Sequence, residues 1–235
     1  MRSFATMRAL LLRACFLMAG SVLFAPPPVV YAGGMEHLSP MMLLERVAAH
    51  GAHMRTLHAE FTQEKHMALL SRPLRSEGYF CLRRISPGAE HRPEDSLLWA
   101  YTRPMAGGFL YRAGRGYLWE ATPTHARRAD GREGAVITAM VRHVLDWIHI
   151  NPGALSAAYR LEMPDPKQPA LHLFPLRPSF FTRMTVTFTP DHASVQRLVL
   201  VERNGDEVRL QFSRTHINEP LPQQCAQWMD GDNGH

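Results

Sequence analysis

Two pairs of ionisable side chains in this chain have a spacing that could support catalysis. His50 and His53 have an HxxH spacing, but no carboxylate or third ligand is placed as in a zinc protease helix. Glu60 and Glu64 lie four residues apart in a segment with strand periodicity, which separates them by about 13 Å. That distance is too long for the paired carboxylates of a glycosidase. We therefore expect surface histidines and solvated glutamates, with no metal site.

Other catalytic signatures are missing from the sequence. There is no Gly-x-Ser-x-Gly motif, so the nucleophile of an α/β-hydrolase has no position. Gly107-Gly108 and Gly114 to Gly116 are not followed by the helix that a phosphate loop must open, and glycines of turns explain them better. These absences predict that the chain is not an enzyme and needs no cofactor.

The first 32 residues have the composition of an export signal. Arg2, Arg8 and Arg13 form a basic leader, an apolar run extends to Ala25, and small residues suit cleavage after Ala32. The apolar run is about a dozen residues long, whereas a membrane span needs about 20. We predict a signal peptide over residues 1–32 and a periplasmic mature chain without stable membrane insertion.

The remaining chain is close to neutral and long enough for one domain. Because the leader carries three arginines and no acid, the formal net charge of +5 falls to +2 after cleavage. A near-neutral domain is not expected to bind nucleic acid, which requires a concentrated basic face. We predict one domain over residues 33–225 and a disordered tail over residues 226–235. Cys81 and Cys225 could pair after export, although two unpaired thiols are the favoured interpretation.

The hydrophobic periodicity predicts an α+β fold. Ser39-Pro40 opens a helical pattern that runs to Leu57, a second helical face covers residues 135–147, and Asn151-Pro152 starts a short helix through Ala158. Residues 85–96 are predicted to be an exposed loop, and residues 122–134 a polar and basic loop. Strands with alternating or two-sided apolar residues are predicted over residues 57–65, 78–83, 97–103, 109–112, 117–120, 159–163, 171–176, 183–189, 195–202 and 207–213. This order indicates a curved antiparallel sheet with helices on one side.

Large apolar side chains on the first predicted strands could line a cavity that holds a lipid. The same residues could instead form an ordinary packed core, which is the commoner role of aromatic residues on strands. The predicted lining residues are Phe61, Phe80, Leu82, Trp99 and Tyr101.

Several segments resemble the LolA family of outer-membrane lipoprotein carriers. They are Phe61-Thr62-Gln63-Glu64-Lys65, the glycine-led strand that ends in Arg83-Arg84, Trp99 to Pro104, and Ile217-Asn218-Glu219-Pro220-Leu221-Pro222. The similarity extends over about residues 36–225. It lies in the order and spacing of the segments rather than in one specific motif.

The resemblance implies an incomplete, half-open antiparallel β-barrel with helices packed as a lid over an apolar cavity. Lipoprotein acyl chains would occupy this cavity on the way from an inner-membrane transporter to an outer-membrane acceptor. In that family a strand-end arginine bonds to the lid helix and keeps the cavity shut, and Arg84 matches its position. Leu97 matches an apolar position that lines the family's cavity.

Three hypotheses follow for the function. The leading one is a monomeric periplasmic carrier that binds the acyl chains of lipoproteins, or another lipidated cargo, and catalyses nothing. The second is a regulatory sensing module that uses the same half-barrel to bind a lipid or protein partner. The third is a periplasmic hydrolase.

Overall fold

The computed structural model of the chain describes residues 38–85, 95–120, 127–131, 134 and 150–230. The predicted signal peptide, the predicted helix over residues 135–147 and much of the two predicted loops lie outside these residues. None of the described helices is long and apolar enough to cross a membrane.

All the described strands belong to one antiparallel sheet of eleven strands, and three described helices pack on it. The strands, in chain order, are β1 (Thr56–His66), β2 (Leu74–Arg83), β3 (Ser96–Arg103), β4 (Gly107–Arg112), β5 (Arg115–Glu120), β6 (Arg127–Arg128), β7 (Tyr159–Glu162), β8 (Ala170–Pro175), β9 (Phe181–Phe188), β10 (Val195–Glu202) and β11 (Glu207–Ile217). The helices are α1 (Pro40–Ala52) before β1, α2 (Pro152–Ala158) before β7, and α3 (Gln223–Asp230) after β11.

The strand order is β6-β5-β4-β3-β2-β1-β11-β10-β9-β8-β7. Each half of the sheet is a meander of sequential neighbours, and β1 joins the halves by pairing with β11. The sheet does not close, because β6 and β7 remain at its two ends. The predicted α+β fold with an incomplete antiparallel barrel is therefore confirmed.

Local sequence explains where α1 begins and how two hairpins turn. The Ser39 hydroxyl accepts a hydrogen bond from the Met42 N–H (3.2 Å), and Pro40 occupies the first helical turn. Ala113 and Gly114 both have positive φ, as a two-residue hairpin turn between β4 and β5 requires. At the β10–β11 turn, Gly205 has a φ of 86° and supplies the left-handed conformation that suits glycine.

The two faces of the sheet are covered by different helices. The face that carries Leu57, Ala59 and Phe61 of β1, which we call the inner face, packs against α1 and α2. The opposite, outer face packs against α3 through the sheet residues Cys81, Leu98 and Leu110. The inner face holds one core cluster under β1–β5 and a second under β8–β9, where Leu43, Leu44 and Val47 of α1 are buried.

Cys81 of β2 and Cys225 of α3 form a disulfide with a Cα–Cα distance of 6.2 Å. The interpretation of two unpaired thiols is therefore wrong, because α3 folds back over β2 and brings together residues 144 positions apart. The predicted disordered tail is also wrong over residues 226–230, which continue α3. The apolar side of α3, including the buried Met229, is what holds this segment on the sheet.

Several strand ends differ from the prediction by a few residues, and the first helix and the two predicted loops differ as well. The first helix ends at Ala52 rather than near Leu57, because β1 already pairs with β2 from Thr56. The loop predicted over residues 85–96 is not exposed at its end, where Asp95 and Ser96 are buried. The loop predicted over residues 122–134 contains β6, a two-residue strand that pairs with β5.

Candidate functional site

The inner face is continuously apolar across its first five strands. Ala59, Phe80, Trp99, Phe109 and Leu118 are direct partners in successive strands from β1 to β5. Residues opposite one another in neighbouring strands share a face, so this row spans half the sheet. Ala59, Phe80 and Phe109 belong to one packed cluster, and Trp99 and Leu118 are partly buried against it.

Aromatic rings interlock on this part of the face. The Phe61 ring lies 4.5 Å from the Trp99 ring, centroid to centroid, and meets Tyr101 edge-on at 5.4 Å. Gly78, which faces Phe61 in the register, makes room for the ring. A Cβ at position 78 would lie 2.0 Å from the Ala100 carbonyl oxygen and 2.7 Å from Phe61 Cζ.

All six predicted lining residues carry their side chains on the inner face, but they differ in burial. Phe61, Phe80, Leu82 and Leu97 are buried and belong to the packed interior. Trp99 and Tyr101 are half-buried. The structure thus brings the six residues together, and their contact with a lipid remains a prediction.

The sequence interpretation missed the middle of the inner face. Leu198 of β10 lies between Val186 of β9 and Leu210 of β11 in the register, and Leu210 faces Gln63 of β1. Leu198, Leu210 and the neighbouring Phe212 are half-buried, whereas the residues of the clusters on either side are mostly buried. The alternation of Val208, Leu210 and Phe212 in the sequence indicates that one face of this strand is apolar. It does not show which strand lies at the centre of the sheet.

The inner face becomes polar along β1. The Tyr101 hydroxyl donates a hydrogen bond to Gln63 Oε1 (3.2 Å), and burial raises the pKa of Tyr101 to about 12. Two residues further on, the buried ammonium of Lys65 lies 2.9 Å from Glu202 Oε1 and 3.9 Å from Asp206 Oδ2. This ion cluster terminates the apolar surface at the β10–β11 turn.

Arg84 lies directly after β2 and connects the sheet to the end of α1. Its Nη1 donates hydrogen bonds to the carbonyl oxygens of Gly51 (3.3 Å) and Met54 (3.1 Å). Burial lowers the pKa of Arg84 below its usual value, and the nearby Asp95 carboxylate opposes that shift. The position suits a cation, because the C-terminal end of a helix carries partial negative charge.

A cleft of about 470 Å³ opens beside this contact. It is lined by Ala49, His50 and His53 on one side, and by Ala193, Ile217 and Asn218 on the other. Ile217 also packs against the inner-face cluster under β1–β5. The cleft therefore reaches the edge of the apolar face at the α1 end of the sheet.

One group of side chains on the outer face has the proximity of metal ligands. Potential ligand atoms of His58, Cys81 and Cys225 lie within 4.8 Å of one another. The two sulfurs are joined in the disulfide, which leaves the imidazole as the remaining ligand. His50 and His53 are exposed, as predicted.

No protein-family model and no curated protein matches the chain. Solved structures with a similar fold include the Pseudomonas aeruginosa MucA/MucB complex (TM-score 0.49, 13% identity, 83% of this chain and 62% of that chain). A LolA superfamily protein from Nitrosomonas europaea is similar at a TM-score of 0.38 and 9% identity, over 77% and 94% of the two chains. The Mycobacterium tuberculosis lipoprotein LppX is similar at a TM-score of 0.44 and 9% identity, over 78% and 97%. The chain spans about 60% of the MucB structures, and each likeness is one of fold.

Proposed function

We propose that the chain is a periplasmic carrier that binds the acyl chains of lipoproteins, or of another lipidated cargo, on the inner face of its sheet. The observation that carries this proposal is the half-buried apolar strip formed by Leu198, Leu210 and Phe212 between two buried clusters. A hydrocarbon chain laid on this strip would complete the burial that the protein leaves partial. Each methylene removed from water contributes about 0.8 kcal/mol.

Release of the cargo requires a part of the fold that can open. Arg84 is proposed to hold α1 against the sheet through its two carbonyl contacts. The cleft beside α1 would then be the place where chains enter the inner face. Opening this end would break the two hydrogen bonds from Arg84 Nη1 and the one from Asn218 Nδ2 to the His53 carbonyl oxygen (3.2 Å), and contact with a donor or acceptor protein is proposed to offset their loss.

The proposed compartment is the periplasm. The leader of residues 1–32 has the composition of a cleavable export signal. A disulfide between Cys81 and Cys225 suits an oxidising compartment. An inner-membrane transporter as donor and an outer-membrane acceptor belong to the same proposal. No catalytic step is part of it.

Binding is tested with the mature protein isolated from its own periplasm. Native mass spectrometry is expected to show a bound lipid or lipidated passenger, and the emptied protein is expected to bind a fluorescent fatty-acyl probe. Leu198→Gln is expected to weaken probe binding about tenfold. Val199→Gln, a half-buried neighbour on the outer face, is the matched control and should leave probe binding unchanged.

Other results would reject the carrier hypothesis. If neither a passenger nor probe binding is observed, or if both substitutions have equal effects, the inner face does not bind acyl chains. A protein that co-purifies without lipid would favour the sensing module instead. Turnover of ester or glycoside substrates, lost on replacing one glutamate or histidine, would favour the hydrolase.

A further inference from the structure

Three connections at the end of the sheet opposite Arg84 form one continuous surface, which we call the rim. They are residues 67–73 between β1 and β2, residues 176–180 between β8 and β9, and residues 203–206 between β10 and β11. The Ala68 N–H donates to Asp206 Oδ1 (3.1 Å), which joins the first connection to the third. The Arg203 N–H donates to the Phe180 carbonyl oxygen (3.1 Å), which joins the third to the second.

The rim and the strand end beside it present leucines to solvent. Leu69 is 91% exposed, Leu176 58%, Leu74 49% and Leu70 45%. A hydrogen bond from the Leu70 N–H to the Met67 carbonyl oxygen (2.9 Å) closes a turn that holds Leu69 away from the sheet. Exposed leucines that gather at one end of a folded domain indicate an interaction surface.

The charge of the rim is positive. Arg72, Arg177 and Arg203 are exposed and pair with no carboxylate among the described residues. The nearby acids are already engaged: Glu64 accepts from Arg75 Nε at 2.8 Å, and Glu202 and Asp206 contact Lys65. The rim therefore combines protruding leucines with available guanidinium groups.

We propose that the rim docks on a bilayer surface that carries anionic phospholipid headgroups. Leucines that enter the interfacial region while cations remain at headgroup depth are the arrangement of a peripheral membrane contact. Guanidinium groups match phosphate oxygens in geometry as well as in charge. This docking deepens the proposed carrier function by naming the surface at which the protein meets the membrane. The contact itself does not depend on what the inner face holds.

Vesicle flotation with the full mature chain tests this proposal. Vesicles of phosphatidylglycerol and phosphatidylethanolamine should carry the protein upward, whereas neutral phosphatidylcholine vesicles should carry at least fivefold less. The double substitution Leu69→Asp and Leu70→Asp is expected to lower binding to the anionic vesicles at least tenfold. Arg72→Ser with Arg203→Ser is expected to lower it several-fold at low salt and less at high salt, because salt screens exposed charges.

Ile85 provides the matched control, since it is 57% exposed at the opposite end of β2. Ile85→Asp should float like the wild type, and circular dichroism should show that every variant is folded. No flotation of the wild type, or equal flotation of the Leu69/Leu70 variant, would overturn the proposal. Acyl-probe binding in the same samples separates the two proposals. If only vesicle binding is lost, the proposed carrier function is still supported. If only probe binding is lost, the proposed membrane contact of the rim is still supported.

Discussion

Arg84 and Met54 are joined by a hydrogen bond of 3.1 Å from the guanidinium Nη1 to the backbone carbonyl oxygen. This bond ties the end of β2 to the segment that leads from α1 into β1. The adjacent Arg83 contacts the other side of the sheet, where its Nη1 lies 2.6 Å from Asp230 Oδ1 of α3. Two neighbouring arginines thus hold helices on opposite faces.

The Arg84→Met variant is expected to lower the free energy of unfolding by about 1–3 kcal/mol, because the carbonyls of Gly51 and Met54 lose a buried donor. Arg83→Met is the control and should cost less than about 1 kcal/mol, since its partner Asp230 is more than half exposed. Urea denaturation at pH 7 measures both. Equal losses in the two variants would show that the Arg84 contacts do not stabilise the α1 end.

Cleavage of the Cys81–Cys225 disulfide should destabilise the fold by about 2–4 kcal/mol, because the unfolded chain gains the freedom of a long open loop. Denaturation with and without a dithiol reductant measures this loss. Cys81→Ser, Cys225→Ser and the double variant should lose equal amounts, since each removes the same bond. A thiol assay on the unfolded mature protein should detect no free cysteine, and two free thiols would contradict the bond.

Gly78→Ala should destabilise the protein by about 1–3 kcal/mol, because the added Cβ would overlap the Ala100 carbonyl and the Phe61 ring. Gly153→Ala is the control. It lies in α2, where a Cβ meets its nearest atom at 3.4 Å and alanine is the better helix former. Thermal unfolding should show a lower Tm for the first variant and an unchanged or higher Tm for the second. If Gly78→Ala leaves the Tm unchanged, Phe61 does not pack against this backbone.

The raised pKa of Tyr101 predicts that the folded protein loses stability in alkali. Its pKa is raised by burial from an ordinary value of 10 to about 12 in the folded state, so the folded protein retains a proton that the unfolded chain releases. The stabilisation is complete below pH 10 and is lost as the pH rises from 10 to 12, by about 2–3 kcal/mol for two pKa units. Urea denaturation at pH 9, 10 and 11 measures how steeply the free energy of unfolding falls with pH. Tyr101→Phe should reduce this slope, and an unchanged slope would exclude Tyr101 as its source.

Local elements were predictable where local chemistry defines them. Ser39 and Pro40 begin a helix through one capping bond and one fixed dihedral, and Gly205 supplies the positive φ that the β10–β11 turn requires. Strand alternation alone places Phe80 with Leu82 on one face of β2, and Leu97 with Trp99 on one face of β3. The burial of each side chain does not follow from alternation, because it depends on strands and helices distant in the sequence.

The candidate site was therefore only half predictable. Trp99 was predicted to line the cavity, and it is half-buried against the cluster under β1–β5. The sequence analysis placed Leu198, Leu210 and Phe212 in strands, but it did not place them at the centre of the inner face. Their place depends on the pairing of β1 with β11, which joins two segments about 150 residues apart in the chain. Periodicity reports the face of a residue within its own strand and contains nothing about which strand becomes its neighbour.

By itself the sequence determined the fold class, the order of the elements and the apolar character of one sheet face. These properties arise from the residues that form turns and from the two-residue period of apolar side chains along a strand. Only the tertiary structure decided that Cys81 pairs with Cys225, that Arg84 reaches the carbonyl oxygens of Gly51 and Met54, and that the exposed leucines near residue 70 share a rim with Arg203. Each of these contacts joins segments that lie far apart in the sequence. Such contacts depend on how the whole chain buries its apolar surface, which no local pattern specifies.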